Sequence, residues 1–100
     1  MDEERREEER VIKSLEVKWE GQSGGYTSRI GDISTGGCFI DTFATVEVGD
    51  VISLSIKTPD GDWLTLGGEI VSYYPNIGFS VRFPFLTDEE VRQITKLIMV

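Results

Sequence analysis

Short segments in which apolar and polar residues alternate, separated by turn signals, occupy most of the chain between residues 11 and 83. Alternation with a period of two is typical of strands that bury one face. No helical segment separates two of these strands, so a parallel α/β fold is disfavoured and a small antiparallel barrel or sandwich is predicted. The predicted strands are 11–20, 26–30, 38–40, 51–57, 63–73 and 77–83. The residues expected to face the core include Leu15, Val17, Trp19, Ile52, Leu54, Ile56, Ile77, Phe79, Val81 and Phe83.

Glycine and proline predict how one pair of these strands is joined and shaped. The stretch "TPDGD" at 58–62 is a strong hairpin signal, because Pro59 presets φ and Gly61 tolerates positive φ. Gly67 and Gly68 lie inside the next predicted strand, where glycine often marks a bulge or a sharp bend. We therefore expect a tight turn before this strand and an irregularity in its middle.

A single helix is predicted at the C-terminal end, over residues 87–99. The stretch "TDEE" is a capping box, with Thr87 at the N-cap and Glu90 three residues later. The residues that follow have apolar side chains at helical spacing, so one face of the helix should pack on the barrel. That stripe consists of Val91, Ile94, Leu97 and Ile98.

Composition predicts one globular domain. One hundred residues allow one modest core, and 39% hydrophobic with 28% charged residues is ordinary for a soluble protein. No apolar run approaches the ~20 residues of a membrane span. The opening Met1-Asp2-Glu3-Glu4 is the opposite of a secretory signal. We expect a cytoplasmic protein without membrane insertion.

The reactive residue types that are missing limit the chemistry. The chain has no histidine, which removes the commonest general base and the commonest zinc ligand. Cys38 is the only cysteine, so an intrachain disulfide and a cysteine-rich metal site are excluded, and a small buried apolar role is expected for it. No pairing of a nucleophile with a base is recognisable. The sequence predicts neither an enzyme nor a need for a metal or a cofactor.

Three of the ten basic residues cluster in "RREEER", residues 5–10. Residues 1–10 offer almost nothing apolar to a core and are predicted to form a flexible arm. A charge run of this kind is commonly just a solvated face. Arginine also offers a planar fork that binds phosphate and the guanine edge. The net charge of −8 disfavours a nucleic acid polymer, but a small anion is compatible because screening acts over ~8 Å.

A second polar cluster, "DISTGG" at 32–37, precedes a predicted strand. The commoner explanation is a turn in which Asp32 and Ser34 bind their own backbone. The alternative is a segment that approaches a polar ligand closely. In that case Asp32 would accept from N–H donors, while Ser34 and the glycine amides would face an anion.

Taken together, the two clusters resemble the signature of the PilZ domain family of bacterial cyclic di-GMP receptors. That signature is RxxxR in an N-terminal arm, followed about twenty residues later by (D/N)xSxxG on a barrel strand. Here RxxxR is Arg6–Arg10, and DxSxxG consists of Asp32, Ser34 and Gly37. The resemblance extends over nearly the whole chain, through "GDVISLSI" at 49–56, "GGEIV" at 67–71 and "IGFSVRF" at 77–83.

The resemblance implies a six-stranded antiparallel PilZ-like β-barrel. It implies an arm over 1–10 that clamps the ligand and a barrel with its C-terminal helix over 11–100. The implied function is a cyclic di-GMP receptor that changes its surface to regulate an unidentified protein partner. The alternative is a PilZ-fold adaptor that binds proteins and no nucleotide. The implied ligand-binding residues are Arg5, Arg6, Arg10, Asp32, Ser34, Gly36 and Gly37.

The residue types of the implied site suit the ligand. Arg6 and Arg10 match the phosphates and guanine edges, and Asp32 can accept from guanine N1–H and N2–H. Ser34 adds a hydroxyl, and Gly37 allows a close approach of the backbone. In the family, a basic residue immediately before RxxxR goes with an intercalated dimer of cyclic di-GMP. That residue is Arg5, so two ligand molecules per chain are expected.

Overall fold

The computed structural model describes residues 11–22 and 24–99. Its elements are β1 (Val11–Gly21), β2 (Gly24–Ile33), β3 (Gly37–Asp41), β4 (Val51–Lys57), β5 (Trp63–Tyr74), β6 (Gly78–Arg82) and α1 (Asp88–Met99). The strands form a closed antiparallel barrel in the order β1-β2-β3-β6-β5-β4, and β4 closes the ring by pairing with β1. The predicted fold class is confirmed. The arm predicted over 1–10 lies outside the described residues. Among the residues that are described, no helix is long and apolar enough to cross a membrane.

Inward-facing side chains from all six strands fill the barrel. Trp19 is buried in this core, where its ring stacks on Tyr26 at 4.5 Å and meets the edge of Phe79 at 5.0 Å. Its indole N–H donates to Ser28 Oγ at 3.0 Å, so the buried polar atom is satisfied. The strand residues in the core are Val17, Trp19, Ile30, Ile33, Cys38, Ile40, Ile52, Leu54, Ile56, Leu64, Leu66, Ile70, Phe79 and Val81.

Helix α1 begins at the predicted capping box. The Thr87 backbone N–H donates to Glu90 Oε1 at 3.0 Å, and the Glu90 N–H donates to Thr87 Oγ1 at 3.1 Å. Ile94 and Leu97 are buried, but Val91 is exposed, so the apolar stripe is shorter than predicted. The helix therefore packs through its second half.

The glycine pair of β5 does not form the predicted bulge. Both residues pair regularly with β4, and the register shift in β5 comes later, between Ile70 and Ser72 opposite β6. Gly68 is needed for space, because a Cβ there would lie 2.3 Å from Val81 Cγ1. The glycine provides room for a neighbouring side chain, and its own strand keeps a regular register with β4.

The prediction that Ile77 faces the core is wrong. Ile77 is 63% exposed and lies in the turn before β6, where its N–H donates to the Tyr74 carbonyl at 3.0 Å. Asn76, with a φ of 66°, adopts the left-handed conformation that closes this turn. The alternation that buries Phe79 and Val81 therefore starts only at the first residue of β6.

Candidate ligand-binding site

Asp32 lies within strand β2, which extends three residues past the predicted end at Ile30. A register shift between Ile30 and Asp32 interrupts the pairing of β2 with β3. Ile30 and Ile33 are both buried, so the irregularity leaves Asp32 half-buried on the outer surface of the barrel. Its Cα partners are Ile12 on β1 and Phe39 on β3.

Ser34 shapes the connection between β2 and β3, here called the 32–37 hairpin. Its side chain is 3% exposed, and its Oγ accepts a hydrogen bond from the Gly36 N–H at 3.0 Å. The Ser34 N–H donates to the Gly37 carbonyl at 2.8 Å. The turn interpretation is therefore confirmed for Ser34, whose hydroxyl supports the loop backbone.

Gly36 and Gly37 connect the 32–37 hairpin to the end of β6 through backbone contacts. The Gly36 carbonyl accepts from the Phe83 N–H at 2.9 Å. Gly37 is buried, and a Cβ there would lie 2.1 Å from the Val81 carbonyl oxygen. The close approach that Gly37 makes within the fold is therefore between β3 and β6, and its close approach to a ligand stays a prediction.

Small residues on β3, β6 and β5 form the outer surface beside the hairpin. Phe39 is opposite Ser80 on β6, which is in turn opposite Ser72 on β5. One row along, Gly37 is opposite Arg82, and Arg82 is opposite Glu69. The short side chains of Ser80 and Ser72, and the lack of one at Gly37, leave a shallow area beside the longer groups at its edges.

The larger groups at the edges are an aromatic pair and an ion pair. The Phe39 and Tyr74 ring centroids are 6.1 Å apart, and Tyr74 is substantially exposed. On the other side, Arg82 Nη2 donates to Glu69 Oε1 at 2.8 Å. Arg82 is not among the residues predicted for the site from the sequence. Its place between inward-facing Val81 and Phe83 nevertheless indicates an outward side chain.

Comparison with known families gives a match over nearly the whole chain. The PilZ domain model matches residues 4–99. The chain belongs to the PilZ domain family. The DxSxxG stretch of this PilZ domain is the 32–37 hairpin, with Asp32 next to the last residue of one strand and Gly37 at the start of the following one. No curated protein is similar enough in sequence to serve as a relative.

Two solved structures share the fold of this PilZ domain. The Bacillus subtilis inhibitor of motility, MotI/DgrA, superposes with a TM-score of 0.79 at 13% identity, over 95% of this chain and 49% of that one. The PilZ domain of CeSA from a cellulose-synthesizing bacterium superposes with a TM-score of 0.71 at 17% identity, over 91% of this chain and 95% of that one. The PilZ domain described here thus spans about half the length of the motility inhibitor.

The structure brings four of the seven predicted site residues into one hairpin of the PilZ domain. Asp32, Ser34, Gly36 and Gly37 lie there together, whereas Arg5, Arg6 and Arg10 lie outside the described residues. A cavity of about 550 Å³ between the 58–62 turn and α1 includes none of the hairpin residues. Of the four hairpin residues, Ser34 and Gly37 are buried, whereas Asp32 and Gly36 are half-buried.

Proposed function

We propose that this PilZ domain is a receptor for cyclic di-GMP. The observation that carries the proposal is the pairing of Val11 with Ile33 and of Ile12 with Asp32. The chain that precedes Val11 is therefore attached directly beside the 32–37 hairpin, and that chain contains RxxxR. This attachment supports one shared site for two motifs that are about twenty residues apart in sequence.

The proposed division of roles follows from the chemistry of the ligand. Asp32 accepts from N1–H and N2–H of a guanine, a pair of donors that adenine lacks. Arg6 and Arg10 bind the phosphates, because a guanidinium matches two phosphate oxygens at once. Ser34 contributes mainly through the shape of the hairpin, since its hydroxyl is buried and bound to Gly36.

Binding of this kind regulates and does not catalyse. When the segment before Val11 closes over the ligand, the outer surface of the barrel next to β1 and β2 changes. A protein partner that recognises only one of the two surfaces then responds to the ligand concentration. The alternative is an adaptor of the same fold that binds its partner without nucleotide.

Titration calorimetry of the full chain tests the proposal. We expect heat of binding with cyclic di-GMP and none with GTP or cyclic di-AMP, because Asp32 reads guanine and the arginines require the cyclic arrangement of two phosphates. Absence of binding to cyclic di-GMP would favour the adaptor. Equal binding of cyclic di-AMP would contradict the role of Asp32 in guanine recognition.

Stoichiometry tests the role of Arg5. With ligand well above its dissociation constant, we expect two cyclic di-GMP molecules per chain, falling toward one in Arg5→Leu. Two stacked ligands bring four negative charges together, and a planar, permanent cation offsets this repulsion. Arg92→Leu, which removes the same charge from α1, should keep a stoichiometry of two. A value near one for the unmodified chain would show that Arg5 does not have this role.

A further inference from the structure

We propose that Arg82 is a further ligand-binding residue, which donates to a phosphate oxygen of the bound nucleotide, and that Glu69 holds Arg82 and competes with that phosphate. This inference rests on the proposed function and adds a residue outside both motifs. Its basis is the register of β6, which sets Arg82 directly opposite Gly37 of the 32–37 hairpin.

The Arg82 side chain lies on the outer surface of β6, next to the strand that begins at the hairpin. Its partner on β3 is a glycine, so no side chain of that strand lies directly opposite Arg82. The Arg82 side chain is 60% exposed. The neighbouring row across β6 and β5 consists of Ser80 and Ser72, which are short enough to let a planar ligand lie on the sheet.

The distance between Asp32 and Arg82 suits a single ligand. β2 and β6 are separated by β3 alone, so the two strands lie about 10 Å apart. Arg82 also lies two residues beyond Ser80, the residue in the same row as Asp32 and Phe39. A guanine bound at Asp32 therefore has its sugar and phosphate within reach of the long Arg82 side chain.

The ion pair with Glu69 leaves most of the donors of Arg82 available. Arg82 Nη2 uses one N–H on Glu69 Oε1 at 2.8 Å, and a guanidinium carries five. Glu69 thereby holds the guanidinium on the β5 side of β6, so a phosphate beside the hairpin must draw it away from that carboxylate. Its negative charge also repels a phosphate that approaches the same guanidinium.

If Arg82 binds the phosphate and Glu69 competes for Arg82, their substitutions should change the ligand affinity in opposite directions. Arg82→Gln should weaken binding of cyclic di-GMP about tenfold, because it removes a charge-assisted hydrogen bond at a partly exposed site. Glu69→Gln should tighten binding about two- to threefold, since glutamine still accepts from Nη2 but carries no charge. A pair with only a structural role across β5 and β6 would not give opposite signs.

The chain offers a matched control in a second exposed pair, Arg92 with Glu89 on α1. Arg92 lines the cavity next to the 58–62 turn, away from the hairpin. Arg92→Gln and Glu89→Gln change the net charge by the same amounts as the test variants. Both should leave the affinity within about twofold of the unmodified chain, since screening acts over ~10 Å at 0.1 M salt.

Calorimetric titration of the full chain and these four variants with cyclic di-GMP is the test, with thermal unfolding to confirm that each is folded. Equal affinities of Arg82→Gln and Arg92→Gln would overturn the inference while the receptor function stands. Weaker or unchanged binding in Glu69→Gln would overturn the competition assigned to Glu69. A chain that does not bind cyclic di-GMP at all would overturn the proposed function, and this inference with it.

Discussion

Replacing Gly37 with alanine is expected to lower the free energy of unfolding by about 3 kcal/mol or more. The new methyl group would lie 2.1 Å from the Val81 carbonyl oxygen and 3.3 Å from the Arg82 Cα. These are backbone atoms of a paired strand, so relief requires β3 and β6 to separate, and no side chain can simply rotate away. In a domain of this size the change corresponds to a fall in melting temperature of roughly 12–24 °C.

Gly67→Ala is the matched control for this prediction. Gly67 also lies in a strand of the barrel, but no heavy atom is within 4 Å of a Cβ built there. Its free energy of unfolding should stay within about 0.5 kcal/mol of the unmodified chain. Urea unfolding followed by circular dichroism measures both variants. Similar midpoints for the two alanine variants would show that β3 and β6 are not packed as closely as described.

A Gly37 variant can lose binding because its barrel is destabilised. A Gly37 variant that no longer binds cyclic di-GMP has not thereby been shown to lack a ligand contact, because its barrel is destabilised. The same caution applies to Ser34, whose buried hydroxyl maintains the hairpin. Of the motif residues that the structure describes, Asp32 has the most surface position and is the better probe of recognition.

Asp32→Ala is expected to weaken cyclic di-GMP binding by about 10- to 100-fold. The substitution leaves two guanine donors without their acceptor, a loss of roughly 1.5–3 kcal/mol for hydrogen bonds to a charged group. Asp32→Asn keeps one acceptor oxygen and should restore part of the affinity. Calorimetry at a single salt concentration, with melting temperatures for each variant, gives the comparison.

Asp60→Ala is the control for the charge removed in this experiment. Asp60 is exposed in the turn between β4 and β5, and neither of these strands is adjacent to β2 or β3 in the barrel. Its affinity for cyclic di-GMP should equal that of the unmodified chain within about twofold. If Asp32→Ala behaves like Asp60→Ala, the carboxylate of Asp32 does not contact the ligand.

Local sequence patterns were sufficient to predict the fold class and the hairpin. Apolar and polar residues alternate in β1 and β4, which indicates strands with one buried face. Ile52, Leu54 and Ile56 are buried as expected. The capping box marks the start of α1 because its hydrogen bonds connect residues only three apart. Asp32, Ser34 and Gly37 come together for the same reason, since they are neighbours in the chain.

What could not be predicted depends on pairing between distant segments. Continuing the alternation from inward-facing Ile30 would turn Asp32 into the core, and only the register shift in β2 moves it outward. The space needed at Gly68 is set by Val81 on another strand. Likewise, Arg82 becomes a neighbour of Gly37 through the pairing of β3 with β6, which no local pattern specifies.

The contact between Lys13 and α1 links the start of the first strand to the end of the helix. Lys13 Nζ, near the start of β1, donates to the Ile98 carbonyl at the end of the helix at 3.3 Å. The start of β1 and the end of α1 are thus near each other, and domains whose ends lie close together tolerate grafting into a surface loop. Grafted there, the barrel would carry the 32–37 hairpin beside the start of β1, because Ile12 pairs with Asp32. Occupancy of that hairpin by a nucleotide would then act on the junction with the host, which is the arrangement that a genetically encoded biosensor requires.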